Sequence, residues 1–171
     1  RVAPLMRRWW QRLRQRSEQR AIARRHIPDA LWALTLARYP FLAWRDPQDI
    51  AELRRLSSLF LDSKEFSGAH GLELSDDMAV AIAAQACLPV LRLGLTAFDG
   101  FVGIVVHPDE VQVKRVFVDD DGVVHEYDDV LAGEAMEGGP VMLSWRDVSE
   151  SGESSAWGYN VVVHEFAHVL D

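Results

Sequence analysis

The stretch "NVVVHEFAHVLD", Asn160 to Asp171, constrains this chain more than any other. Val161, Val162, Val163, Phe166, Ala167, Val169 and Leu170 give it the composition of a buried helix, yet it carries two histidines and a glutamate. Buried ionisable groups are rare unless they are paired or bind a metal. A helix turns about 100° per residue, so His164 and His168 are expected about 40° apart on one face, one turn above the other. Neighbours at that spacing have Cβ atoms roughly 5–6 Å apart. That is close enough for two imidazoles to reach one ion at about 2.0–2.1 Å.

Glu165 stands one step round the same helix. It shares the ion less easily, but it reaches a water held there. Zinc brings the pKa of such a water to about 7. A carboxylate beside it can take the proton and later return it to a leaving amine. The pattern is the H-E-x-x-H arrangement of zinc peptidases. The alternative is two core histidines and a surface glutamate.

The 171 residues make one ordinary domain, and with 49% hydrophobic residues a sizeable core is available. No run of 18 apolar residues is present, so no membrane-spanning helix is expected. Cys87 is the single cysteine, inside the apolar "AIAAQACLPVL". One cysteine cannot form an internal disulfide, which fits a reducing compartment. In that setting it reads as a small buried hydrophobe rather than a nucleophile.

The net charge of −8 hides an asymmetry. Residues 1–25 hold nine arginines and one glutamate, net +8, which leaves −16 for residues 26–171. An acidic body of that kind argues against direct nucleic-acid binding. The Arg-rich start is compatible with a helix, with Trp9, Leu13 and Ile22 partly on one face. It fits nucleic acid, acidic lipid, an acidic partner or a transit segment. A solvated terminal helix or tail is the simpler reading. It is not a secretory signal, because no apolar region follows the arginines.

Along the chain, residues 5–25 predict one helix. "IPDALWALTLARYPFL" predicts a short second helix, starting near Pro28 and ending before Pro40. "DPQDIAELRRLSSLFLDSKEF" places Leu53, Leu56, Leu59 and Phe60 at helical spacing behind Asp46 and Pro47. Ser75 is a candidate N-cap for an apolar helix that runs to Leu88 and is disturbed at Pro89. The periodicity then changes. "FVGIVVHP" reads as a strand, "VQVKRVFVDDDGVVHEY" as a hairpin, and "GGPVMLSW" as a strand at 140–145. "SESGESSAWGYN" reads as a polar loop, with Asn160 capping the closing helix. Helices first, then a small mixed sheet, then a metal-binding helix make an α+β order.

"GLELSDDMAVAIAAQACLPVLRLGL", "FDGFVGIVVHPDE", "GEAMEGGPVMLSW" and "GYNVVVHEFAHVLD" together resemble the Mlc titration factor A (MtfA) family of bacterial zinc peptidases. The resemblance runs from about Leu31 to Asp171. It implies a zincin-like, cytoplasmic metallopeptidase of aminopeptidase type acting on small peptides, and a partner in some members, the glucose-responsive repressor Mlc. Carried over by position, His164 and His168 become the first two zinc ligands and Glu165 the general base. The family's third ligand, a glutamate on a later helix, has no counterpart up to Asp171. The resemblance therefore implies a longer protein truncated after the H-E-x-x-H helix. Residues 26–171 would form the N-terminal part of a zincin-like catalytic domain and 1–25 an Arg-rich helix or tail. The 171-residue chain alone is expected to be inactive. Asp171, three residues after His168, fits a group that orients a ligand or holds the helix, or less comfortably a substitute ligand.

Other residues carry weaker expectations. In zincin-like folds an extended peptide adds to an edge strand beside the metal helix, and "PVMLSW" is the expected strand here. Val141, Leu143 and Trp145 also suit a core-facing alternation. His107 and His125 read as partly exposed strand-end residues, each able in principle to assist a metal. His26 and His70 have no partner spacing. Tyr159 suits packing, capping or donation to an oxyanion. Glu134 and Glu137 flank a plausible cleft rim, where an acidic group would hold a substrate amine. Asp119–Asp121 read as a solvated turn, lacking the alternation of a calcium loop.

Overall fold

The computed structural model describes residues 3–109, 111–118, 124–131, 133–135, 139–154 and 160–170. Four helices come early. Helix α1 spans Ala3–Arg24, α2 Asp29–Arg38, α3 Pro47–Ser63 and α4 Asp76–Cys87. Short 3-10 turns lie at Pro40–Leu42 and Leu95–Phe98. Helix α3 starts where Asp46 and Pro47 predict, and it buries Leu53, Leu56 and Phe60 on one stripe. Helix α4 is buried on nearly all sides from Met78 to Cys87, which makes it the central rod of the core. Cys87 lies within it, fully buried, and burial pushes its thiol well above the ordinary range, so it is not a nucleophile.

Helix α1 runs along α3. Arg24 donates to both Asp62 carboxylate oxygens at 3.1 and 2.8 Å, and Glu18 accepts from Arg55 at 3.0 Å. Such exposed pairs are screened by solvent, so they set register more than they hold the helix down.

Helix α3 ends at Ser63, short of the end of the stretch in which Leu53, Leu56, Leu59 and Phe60 stand at helical spacing. The backbone turns extended at Lys64, and Glu65–Gly68 form strand β1. Tertiary contacts override the local helical pattern here. Lys64 Nζ donates to the carbonyls of Phe98 and Phe101 at 2.6 and 2.5 Å and sits 4.1 Å over the Phe101 ring. Strand β1 then pairs in parallel with β2, Gly103–His107. Gly68 is obligatory, since a Cβ there would collide with the Leu72 carbonyl.

Strand β6, Val141–Ser144, pairs in parallel with the other side of β2, and β5, Gly133–Ala135, adds antiparallel to β6. The sheet order is β1-β2-β6-β5. The expected hairpin is present as a separate two-stranded sheet of β3, Val111–Val118, and β4, Val124–Leu131, closing with Val118 opposite Val124.

The polar segment after β6 also differs from the expected loop. Ser149–Ser154, the first part of the expected loop, belong to helix α5, which spans Trp145–Ser154. Ser-rich composition and Gly152 concealed it. That glycine is needed for packing, because a Cβ there would sit 2.5 Å from the Arg38 carbonyl at the end of α2. Helix α6, Val161–His168, closes the described fold. The α+β class holds, but a strand interrupts the early helices and a helix separates the last strand from α6.

Candidate metal centre

The N-terminus of α6 is fixed by its own cap residue and by two side chains from other parts of the chain. Asn160 is its N-cap, as the sequence suggests, and Asn160 Oδ1 accepts from the Val163 amide at 2.8 Å. Gln85, fully buried in α4, accepts from Asn160 Nδ2 at 3.4 Å and from Ser151 Oγ of α5 at 2.8 Å. Gln85 and Ser151 were not singled out in the sequence. The available signal was a lone amide inside the apolar run "AIAAQACL", which must be hydrogen-bonded if buried. Asn160→Ala should lower the unfolding free energy by about 0.5–2 kcal/mol, measurable by denaturant titration. An unchanged midpoint would mean that the cap contributes nothing.

Helix α6 is not buried all round. Val162 and Phe166, one turn apart, are 1% and 0% exposed and face the core, while His164 is exposed and Glu165 half-buried. His164 is therefore not a core histidine. His168 is the last residue of α6, so the helix spans both histidine positions and sets them one turn apart. Both His164 and Glu165 are engaged in contacts within the fold. Among the described residues no group of three or more His, Cys, Asp or Glu side chains comes together as a metal site. Catalytic zinc needs three protein ligands. The residues at hand fit that ion as part of its donor set: two histidines at helical spacing, the first on an open face, with a carboxylate beside it.

The strand beside this helix is not "PVMLSW". Strand β6 lies inside the sheet, paired on both sides, and β5 is the edge that runs against α6. Val141 and Leu143 are buried, as the alternation predicts, and Trp145 opens α5. Strand β5 was hidden in the sequence because "GEA" has no β-branched residue. Glu134 sits in it, opposite Met142. His125 lies in β4 opposite Phe117, and His107 ends β2. His107 is 7% exposed and so more buried than expected. Tyr159, Glu137, Asp119–Asp121 and Asp171 fall outside the described residues.

Comparison with known proteins covers most of the chain. Residues 9–171 match the family model described as glucose-regulated metallo-peptidase M90. The chain is 39% identical over 140 residues to "Mlc titration factor A" of Klebsiella pneumoniae, covering 82% of this chain and 52% of that protein. The protein of the same name from Cronobacter sakazakii is 38% identical over 140 residues, with the same shares. An uncharacterised Synechocystis protein is 36% identical over 154 residues, covering 90% of this chain and 56% of its own length. The chain thus spans about half the length of the curated relatives it matches. No helix of the described residues is long and apolar enough to cross a membrane.

Proposed function

Because the chain belongs to the glucose-regulated metallo-peptidase M90 family, we propose that it carries the H-E-x-x-H part of a zinc-dependent, zincin-like peptidase of aminopeptidase type working in the cytoplasm. In this reading residues 26–171 are the N-terminal part of the catalytic domain, and residues 1–25 are an Arg-rich segment whose helix α1 runs along α3. His164 and His168 hold the metal, and the third protein ligand is a residue outside the described set. The observation that carries the reading is the orientation of α6: its apolar side is fixed to the core by Val162 and Phe166, which turns His164 outward.

Zinc, when bound, polarises a carbonyl and acidifies water. Glu165, next to His164 and half-buried, takes the proton of the attacking water and delivers it to the leaving amine. The edge of β5 beside α6, unpaired among the described residues, offers backbone groups to an extended peptide. Chelation of the full-length protein should abolish hydrolysis of short peptides, and zinc should restore it. Hydrolysis that persists in the metal-free protein would refute the assignment.

A second reading is favoured by the name of the relatives, Mlc titration factor A. Here the protein docks onto a transcriptional repressor of the Mlc type. The two readings are compatible, and capture of repressor that survives both chelation and Glu165→Gln would separate docking from catalysis.

A further inference from the structure

His107 closes β2 with 7% of its surface exposed, and neither ring nitrogen has a hydrogen-bond partner among the described residues. A neutral imidazole carries one N–H donor and one acceptor lone pair. Leaving a buried donor or acceptor unmade costs about 1–3 kcal/mol, and folded proteins seldom tolerate that without an ordered water or an ion. The neighbour is a second imidazole. The ring of His70 has its centroid 5.4 Å from that of His107, with the planes inclined at 43°. His70 is exposed and stands at φ 53°, followed by Gly71 at φ 77°. These two left-handed residues turn the chain sharply after β1, so that the His70 ring meets the end of β2.

The spacing admits two imidazoles sharing one ion. Metal–nitrogen bonds of about 2.0–2.1 Å, with each ring centre about 1.2 Å further out, put two centroids about 5 Å apart at a tetrahedral angle. Burial first, and the nearby His70 second, hold His107 below the ordinary histidine range. At neutral pH it is therefore in the uncharged form that binds metals. We propose that His70 and His107 form a binding site for a divalent transition-metal ion, separate from the histidine pair of α6. Among the described residues no third His, Cys, Asp or Glu joins the pair. Imidazole ligands select zinc, copper or nickel over magnesium or calcium. The exposure of His70 gives the ion a way in.

The test does not depend on the peptidase reading. The full-length protein carrying His164→Ala and His168→Ala is titrated with Cu2+ alone. Electron paramagnetic resonance then counts the coordinated nitrogens. The expected result is one equivalent bound through two imidazoles. His70→Asn keeps a residue that tolerates the left-handed backbone. It should weaken binding at least as much as losing an outer-shell partner does, about 10–100-fold, and reduce the count to one nitrogen. His107→Phe should do the same; if it fails to fold, His70→Asn decides alone. Absence of a stoichiometric site in the parent, or affinity and nitrogen count unchanged in His70→Asn, would overturn the proposal.

Discussion

Glu165→Gln, made in the full-length protein, is expected to leave the metal content unchanged and to cut peptide turnover by about 10²–10⁴-fold, the usual contribution of a positioned general base. Glutamine matches glutamate in volume and in helix propensity, and position 165 is only half-buried in α6, so the helix should stand. What the amide cannot do is carry the proton between water and leaving amine. His164→Ala gives the contrasting pattern. Its side chain is exposed, so the fold should survive, but metal and turnover should disappear together. Metal per chain, measured beside kcat and Tm for both variants, separates the roles. A Glu165→Gln protein with normal turnover would remove Glu165 from the mechanism. A His164→Ala protein that keeps its full metal content would remove His164 from the ligand set.

The sequence made these residues legible because their signal is local. Spacing, an apolar surround and an N-cap all lie within Asn160–Asp171, and each follows from helix geometry alone. Helices α2, α3 and α4 were legible for the same reason, with Pro28, Asp46–Pro47 and Ser75 marking their starts. The misread elements depend on distant partners. Lys64–Gly68 leave the helical pattern because the carbonyls of Phe98 and Phe101 and the strand β2 are there to receive them. Helix α5 looks like a loop until Gly152 is seen against the carbonyl of Arg38. Strand β5 has three residues and no β propensity, and exists as an addition to β6. The histidine pair at the end of β2 was invisible for the same reason, since 37 positions separate His70 from His107 and no periodicity links them.

The motif also contains a residue whose role is mechanical, and its removal should have the largest effect on stability. Phe166, between Glu165 and Ala167, is fully buried and meets Phe60 of α3 at 6.0 Å, Phe98 at 5.6 Å and Phe101 at 6.1 Å between ring centroids. Phe60 and Phe98 are themselves 6.1 Å apart, so four rings close on one another. Edge-on and tilted pairs of this kind add about 0.5–1.5 kcal/mol each beyond their buried area. Phe166→Ala should therefore cost about 3–5 kcal/mol, a large share of the about 5–15 kcal/mol that holds a typical domain folded. For a domain of this size that corresponds to a Tm lower by roughly 6–20 °C. Phe166→Leu, which keeps most of the apolar volume, should recover the greater part. Metal affinity should fall in Phe166→Ala even at temperatures where the protein stays folded, because the cluster is what turns His164 away from the core. A loss below about 1 kcal/mol, or a destabilised variant with unaltered metal affinity, would mean that the cap at Asn160 alone orients α6.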